Sequence, residues 1–145
     1  MRRALCGLLF ALAATGCGGH RVYGIEPDVP AGAMLVGDWT PVSAQLGGQD
    51  FPVANFGGAA LRMTAHGYEF AGDRGSYDIL SAGSPAHMDI HGEQGPNAGH
   101  LIPALYDLRG DQLTISYQLG PGVRPTDFVS PAGSKILLVH YRRSH

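Results

Sequence analysis

Three side chains at alternate positions of one short segment, His87, Asp89 and His91, are the plainest candidates for chemistry in this 145-residue chain. On a β-strand they would project from one face. Imidazole and carboxylate at that spacing suit a shared zinc or copper ion, with His100 as a fourth ligand. The solvated face of an ordinary strand carries the same pattern, and cross-strand geometry decides between the two. The expectation adopted is no metal and no cofactor. Hydrolase and nucleotide motifs are also missing: the chain has no Gly-x-Ser-x-Gly elbow, no phosphate-cradling glycine loop and no His-Glu-x-x-His pair. A non-enzymatic protein is expected.

Cys17 points to covalent modification instead. Ala14-Thr15-Gly16-Cys17 sets small residues directly before a cysteine, at the end of an apolar run over residues 4–13 that follows Met1-Arg2-Arg3. The run has the length of a secretory signal and is too short to span a bilayer. The arrangement resembles a bacterial lipobox, with Ala14 where leucine is commonest. It predicts a signal peptide over residues 1–16 and a lipoprotein whose Cys17 carries acyl chains such as palmitate. At about 0.8 kcal/mol per buried methylene, several chains anchor a protein to the membrane for good. Gly18, where an aspartate would favour inner-membrane retention, points to the outer membrane of the cell envelope.

Cys6 leaves with the signal and Cys17 is acylated, so no thiol remains for a disulfide, a metal or a nucleophile. Removing Arg2 and Arg3 from the ten basic residues leaves eight against twelve acidic ones, a formal charge of about −4. Only Arg142-Arg143 is a contiguous basic pair near the end of the chain, and no nucleic-acid partner is expected.

The elements that must position any site are strands. Residues 17–35 are rich in Gly, Pro and Ala without apolar periodicity, which predicts a lipid-anchored linker. Residues 36–145 then alternate apolar and polar in short runs punctuated by Gly, Asp, Asn and Pro. Strands are expected over residues 39–46, 61–65, 68–70, 76–79, 87–91, 101–108, 112–119 and 135–141. His66-Gly67 is read as a tight turn of positive backbone angle, Gly72-Asp73-Arg74-Gly75 as a second turn, and Arg109-Gly110-Asp111-Gln112 as a third. Eight consecutive antiparallel strands close most naturally into an up-and-down β-barrel, which leaves no unpaired edge. A two-sheet sandwich is the other all-β solution.

An ordered series of short motifs carries a family resemblance: Gly37-Asp38-Trp39, Gly47-Gly48-Gln49-Asp50-Phe51-Pro52, Gly75-Ser76-Tyr77, Met88-Asp89-Ile90, Leu105-Tyr106-Asp107-Leu108, Gly110-Asp111-Gln112-Leu113, Arg124-Pro125 with Phe128, and Leu137-Leu138-Val139. Together they look like a planctomycete-type lipocalin-like domain family of unknown function, over nearly all of residues 37–143. The resemblance implies a small lipocalin-like barrel and no known reaction. It also implies that Trp39 plugs the barrel floor under an arginine of the last strand, Arg142 or Arg143, with Arg142 the first choice.

Such a barrel is just wide enough to be filled by side chains or to hold one small molecule. The inward residues read from apolarity are Met63, Tyr68, Phe70, Tyr77, Ile79, Leu113, Ile115 and Tyr117. They form a solid core or line a site for a small hydrophobic ligand. With a solid core the function shifts to a protein-interaction or inhibitor module facing another envelope protein, presented by the glycine- and proline-rich loops over residues 92–99 and 120–134.

Overall fold

The computed structural model describes residues 31–145. The expected signal segment 1–16, the expected acylation site Cys17 and most of the expected linker lie outside the described residues. Among the described residues no helix is long and apolar enough to cross a membrane.

Among the described residues nine antiparallel strands form one sheet: β1 (Gly37–Leu46), β2 (Gln49–Asp50), β3 (Leu61–Met63), β4 (Gly67–Phe70), β5 (Asp73–Ser81), β6 (Ala86–Gln94), β7 (Leu101–Arg109), β8 (Gln112–Gln118) and β9 (Ile136–Arg143). Apart from the two-residue β2, each strand pairs with its sequence neighbours, and β1 returns to pair with β9 from Trp39↔Arg143 to Leu46↔Leu137. The fold is therefore the expected closed, up-and-down barrel of eight strands, with β2 as a short flap on β1. Pro41 sits at a bulge in β1 between the stretches that pair with β3 and β2, so its missing N–H interrupts no ladder on that side.

Alternation sets the interior. Trp39, Leu61, Met63, Tyr77, Met88, Ile90, Ile102, Tyr106, Leu113, Ile115, Val139 and Tyr141 belong to one buried cluster. Small residues make room for large ones in register: Ala86 lies opposite Tyr106, and Ala104 between Met88 and Tyr117. Two hairpins differ from the sequence expectation. The turn between β3 and β4 needs no positive angle, because the Gly67 amide donates to Thr64 Oγ1 at 3.0 Å and the Thr64 amide to the Gly67 carbonyl at 2.9 Å. The β4–β5 turn is the two-residue loop Ala71-Gly72, with φ of 49° and 91°, so the strand resumes at Asp73 and not after Gly75. Gly110, at φ 59°, opens the expected β7–β8 turn.

One end of the barrel is closed by chain that the sequence reading assigned to the linker. A 3-10 segment, Ala33–Leu35, packs Leu35 into the core, and Trp39 Nε1 donates to the Leu35 carbonyl at 2.9 Å. The Tyr77 hydroxyl donates to the Thr64 carbonyl at the same end. The domain therefore begins ahead of residue 36.

A second buried layer lies outside the barrel. Leu105, Ser116 and Leu138 stand side by side on the outward faces of β7, β8 and β9, yet are 1%, 0% and 5% exposed. The loop over residues 119–135 is clasped to this side by Arg124, whose guanidinium donates to the Met88 and Ala104 carbonyls and pairs with Asp89. Gln118 Nε2 donates to the Gly120 and Pro121 carbonyls, and Ser130 Oγ to the Ile136 carbonyl. This explains why β9 is apolar on both faces. Ser116 Oγ is buried there without a hydrogen-bond partner among the described residues. Ser116→Ala is expected to raise stability by about 1 kcal/mol, because it removes an unsatisfied hydroxyl and leaves only a small void. Urea denaturation checks this, and a loss of stability would contradict it.

Candidate functional site

The three polar residues that opened the sequence reading do not converge. All three lie on the outward face of β6. Asp89 is taken by Arg124, and His91 Nε2 lies 3.0 Å from Asp78 Oδ2 across the β5–β6 ladder. His87 is exposed and faces Ser81 and Leu105 in register, and His100 sits on the far loop. Among the described residues no three His, Cys, Asp or Glu groups come together to hold a metal.

Trp39 is fully buried at the closed end, as its motif implied, but its cation is Arg143 and not Arg142. Register decides this: Arg143 is the residue opposite Trp39, whereas Arg142 pairs with Thr40 and points outward. The Arg143 Cζ lies 4.1 Å from the indole centroid, and its two terminal nitrogens donate to the Met34 and Val36 carbonyls at 2.9 Å. The guanidinium thus stacks on the plug and fastens the N-terminal segment across it. Asp111, the acid of the Arg-Gly-Asp hairpin, pairs with Arg143 Nε at 3.4 Å, so the tripeptide is part of this closure.

The opposite end is different. A cavity of about 150 Å³ runs from the middle of the barrel to the end where the β4–β5 turn, the β6–β7 loop and the start of β9 meet. Of the eight inward residues read from the sequence, Met63, Tyr68, Phe70, Tyr77, Ile115 and Tyr117 line it. Leu113 and Ile79 do not: Leu113 lies one layer deeper, between Leu108 and Tyr141, and Ile79 packs on the core beside Met88. The sequence reading missed Met88, Ile90 and Ile102 on the neighbouring strands, though the same alternation marks them. It also missed Phe56, which arrives from the 3-10 segment Val53–Phe56 and stacks against Phe70 at 4.8 Å and Phe51 at 5.3 Å. No strand periodicity could have signalled that contact.

Polar groups are few in the lining. The Tyr117 and Tyr141 hydroxyls are paired at 2.9 Å, and burial raises the pKa of both, so both remain neutral phenols. Asp73 accepts from the Asn97 backbone amide at 2.8 Å and from the Asn97 side-chain nitrogen, which ties the β4–β5 turn to the β6–β7 loop at the rim. The Tyr68 hydroxyl is buried and has no hydrogen-bond partner among the described residues. Burial, and then the carboxylates of Asp73 and Glu93, raise its pKa.

Fold and cavity together define a small closed antiparallel barrel with one sealed end and one apolar cavity at the other. No family model, curated protein or solved structure matches the chain.

Proposed function

We propose that this protein is a non-enzymatic, lipid-anchored binding protein of the cell envelope that takes a small apolar molecule into its barrel. The observation that carries the reading is the cavity of about 150 Å³, walled by Met63, Met88, Ile90, Ile115 and aromatic rings and framed by a rigid closed sheet. A cavity of that size with apolar walls accommodates a single-ring hydrocarbon. At about 0.8 kcal/mol per buried carbon group, a seven-carbon ring compound gains roughly 5–6 kcal/mol, a Kd on the order of 0.1 mM. The lipocalin-like resemblance is in keeping with such a role, the Ala14-Thr15-Gly16-Cys17 segment supports the anchor, and Gly18 supports the outer-membrane address.

Native mass spectrometry of the full-length protein, extracted gently from its own membranes, tests both halves. The expected spectrum shows the mass of a chain beginning at Cys17 with acyl groups attached, plus a small organic adduct that denaturation removes. An unmodified Cys17 would overturn the anchoring. An adduct-free protein that also fails to take up toluene would favour the solid barrel acting as an interaction module.

A further inference from the structure

The bound molecule's chemical class can be narrowed by Tyr68, a lining residue whose buried hydroxyl has no partner among the described residues. We infer that the ligand is a neutral, single-ring-sized molecule carrying one hydroxyl or carbonyl group, which hydrogen-bonds to the Tyr68 hydroxyl, and that carboxylate ligands are excluded. This deepens the binding proposal and rests on it.

Tyr68 stands on β4, opposite Met63 and Gly75, and its ring lines the cavity together with Phe70 and Tyr117. Its hydroxyl is shielded from solvent and has no partner among the described residues, whereas the other hydroxyls of the lining are satisfied: Tyr117 with Tyr141, and Tyr77 on the Thr64 carbonyl. Buried hydroxyls are nearly always paired, and the ring that carries this one lines the cavity, so a ligand that shifts the ring slightly satisfies it. A water molecule needs two to four polar partners, and most of this lining is aliphatic or aromatic. A ring bearing a single polar group satisfies the hydroxyl and covers the apolar walls together.

Charge sets the second half. Among the described residues no Lys, Arg or His lines the cavity, and Asp73 is its one ionisable carboxyl. Asp73 is held by Asn97 and has no cationic partner among the described residues. An anionic head group would be desolvated beside a like charge without a counter-ion. Fatty acids, which bring both a carboxylate and a long chain, are unsuited on both counts.

Toluene and phenol have the same number of heavy atoms and separate shape from hydrogen bonding. Calorimetric titration of the full-length protein with toluene, phenol and benzoate, repeated on Tyr68→Phe, is the test. In the wild type phenol is expected to bind at least as tightly as toluene, although its hydroxyl must leave water. Tyr68→Phe is expected to weaken phenol about tenfold and to leave toluene within about twofold, toluene binding being the internal check that the variant is folded. Benzoate is expected to bind at least tenfold more weakly than phenol. Toluene binding with phenol weaker, or with phenol unaffected by Tyr68→Phe, overturns the inference and leaves the binding proposal standing. Benzoate matching phenol overturns the exclusion of anions. No binding of toluene or phenol overturns both the inference and the reading beneath it.

Discussion

Trp39→Ala is expected to cost the barrel about 3–5 kcal/mol, the range for truncating a large buried aromatic ring. For a domain of this size, at about 4 °C per kcal/mol, the thermal midpoint falls by roughly 12–20 °C. Three things are lost together. The indole is fully buried between the barrel interior and the N-terminal segment, so its removal leaves a cavity at the floor. Its Nε1 no longer satisfies the Leu35 carbonyl, and the Arg143 guanidinium loses the ring it lies on. Arg143→Ala keeps the plug and removes the clamp over the Met34 and Val36 carbonyls, so a smaller fall is expected. Thermal unfolding followed by circular dichroism checks both. A Trp39→Ala change below about 1 kcal/mol would mean that Trp39 is not the floor of the fold.

Gly92→Ala is expected to be comparably severe, about 3 kcal/mol, for a reason confined to the backbone. A Cβ at residue 92 would stand 1.9 Å from the Asn97 carbonyl oxygen and 2.6 Å from its carbon. Neither atom can swing away as a side chain would. The Gly92 amide donates to the His100 carbonyl at 2.9 Å, and the Gly99 amide to the Gly92 carbonyl at 2.8 Å, so the loop is laced around this residue. Displacing Asn97 also pulls it from Asp73 and loosens the rim of the cavity. Gly99→Ala in the same loop supplies the contrast. Its φ is 78° with nothing within 4 Å of the added carbon, so it incurs only the left-handed penalty of about 1 kcal/mol. Equal effects of the two substitutions on urea midpoints would show that backbone angle, and not close approach, governs this loop.

The barrel was legible because its strands are half-buried and alternate: Leu113, Ile115 and Tyr117 on one face against Gln112, Thr114 and Ser116 on the other fixed both strand and inward side. The same rule set six of the eight named residues on the cavity wall. It failed where a third layer intervenes. Ser116 and Gln118 read as a solvated face but are buried beside the Arg124-clasped loop, and a loop's docking leaves no period in the sequence. Leu35 was hidden for a similar reason, since a lone apolar residue in a Gly- and Ala-rich stretch looks like linker until its tertiary partner is seen. Arg142 and Arg143 are not told apart by sequence because β9 is apolar on both faces, Leu138 being buried outside the barrel, whereas in the structure Arg143 shares the inward side with Val139 and Tyr141. His87, Asp89 and His91 alternate as metal ligands or a solvated face would, and only cross-strand geometry tells the two apart. Asp89 and His91 find separate partners in Arg124 and Asp78.

The claim on which the functional reading depends is that the barrel interior admits a small molecule, and the methionines offer a direct view of it. Met63 and Met88 line the cavity, whereas Met34 is 63% exposed on the opposite closure. In full-length protein carrying 13C-methyl methionine, titration with toluene to a few millimolar is expected to shift the Met63 and Met88 methyl resonances saturably and to leave Met34 in place. Methyl resonances of Met63 and Met88 that stay fixed at saturating toluene would show a solid core, and the protein would then have to act through its surface.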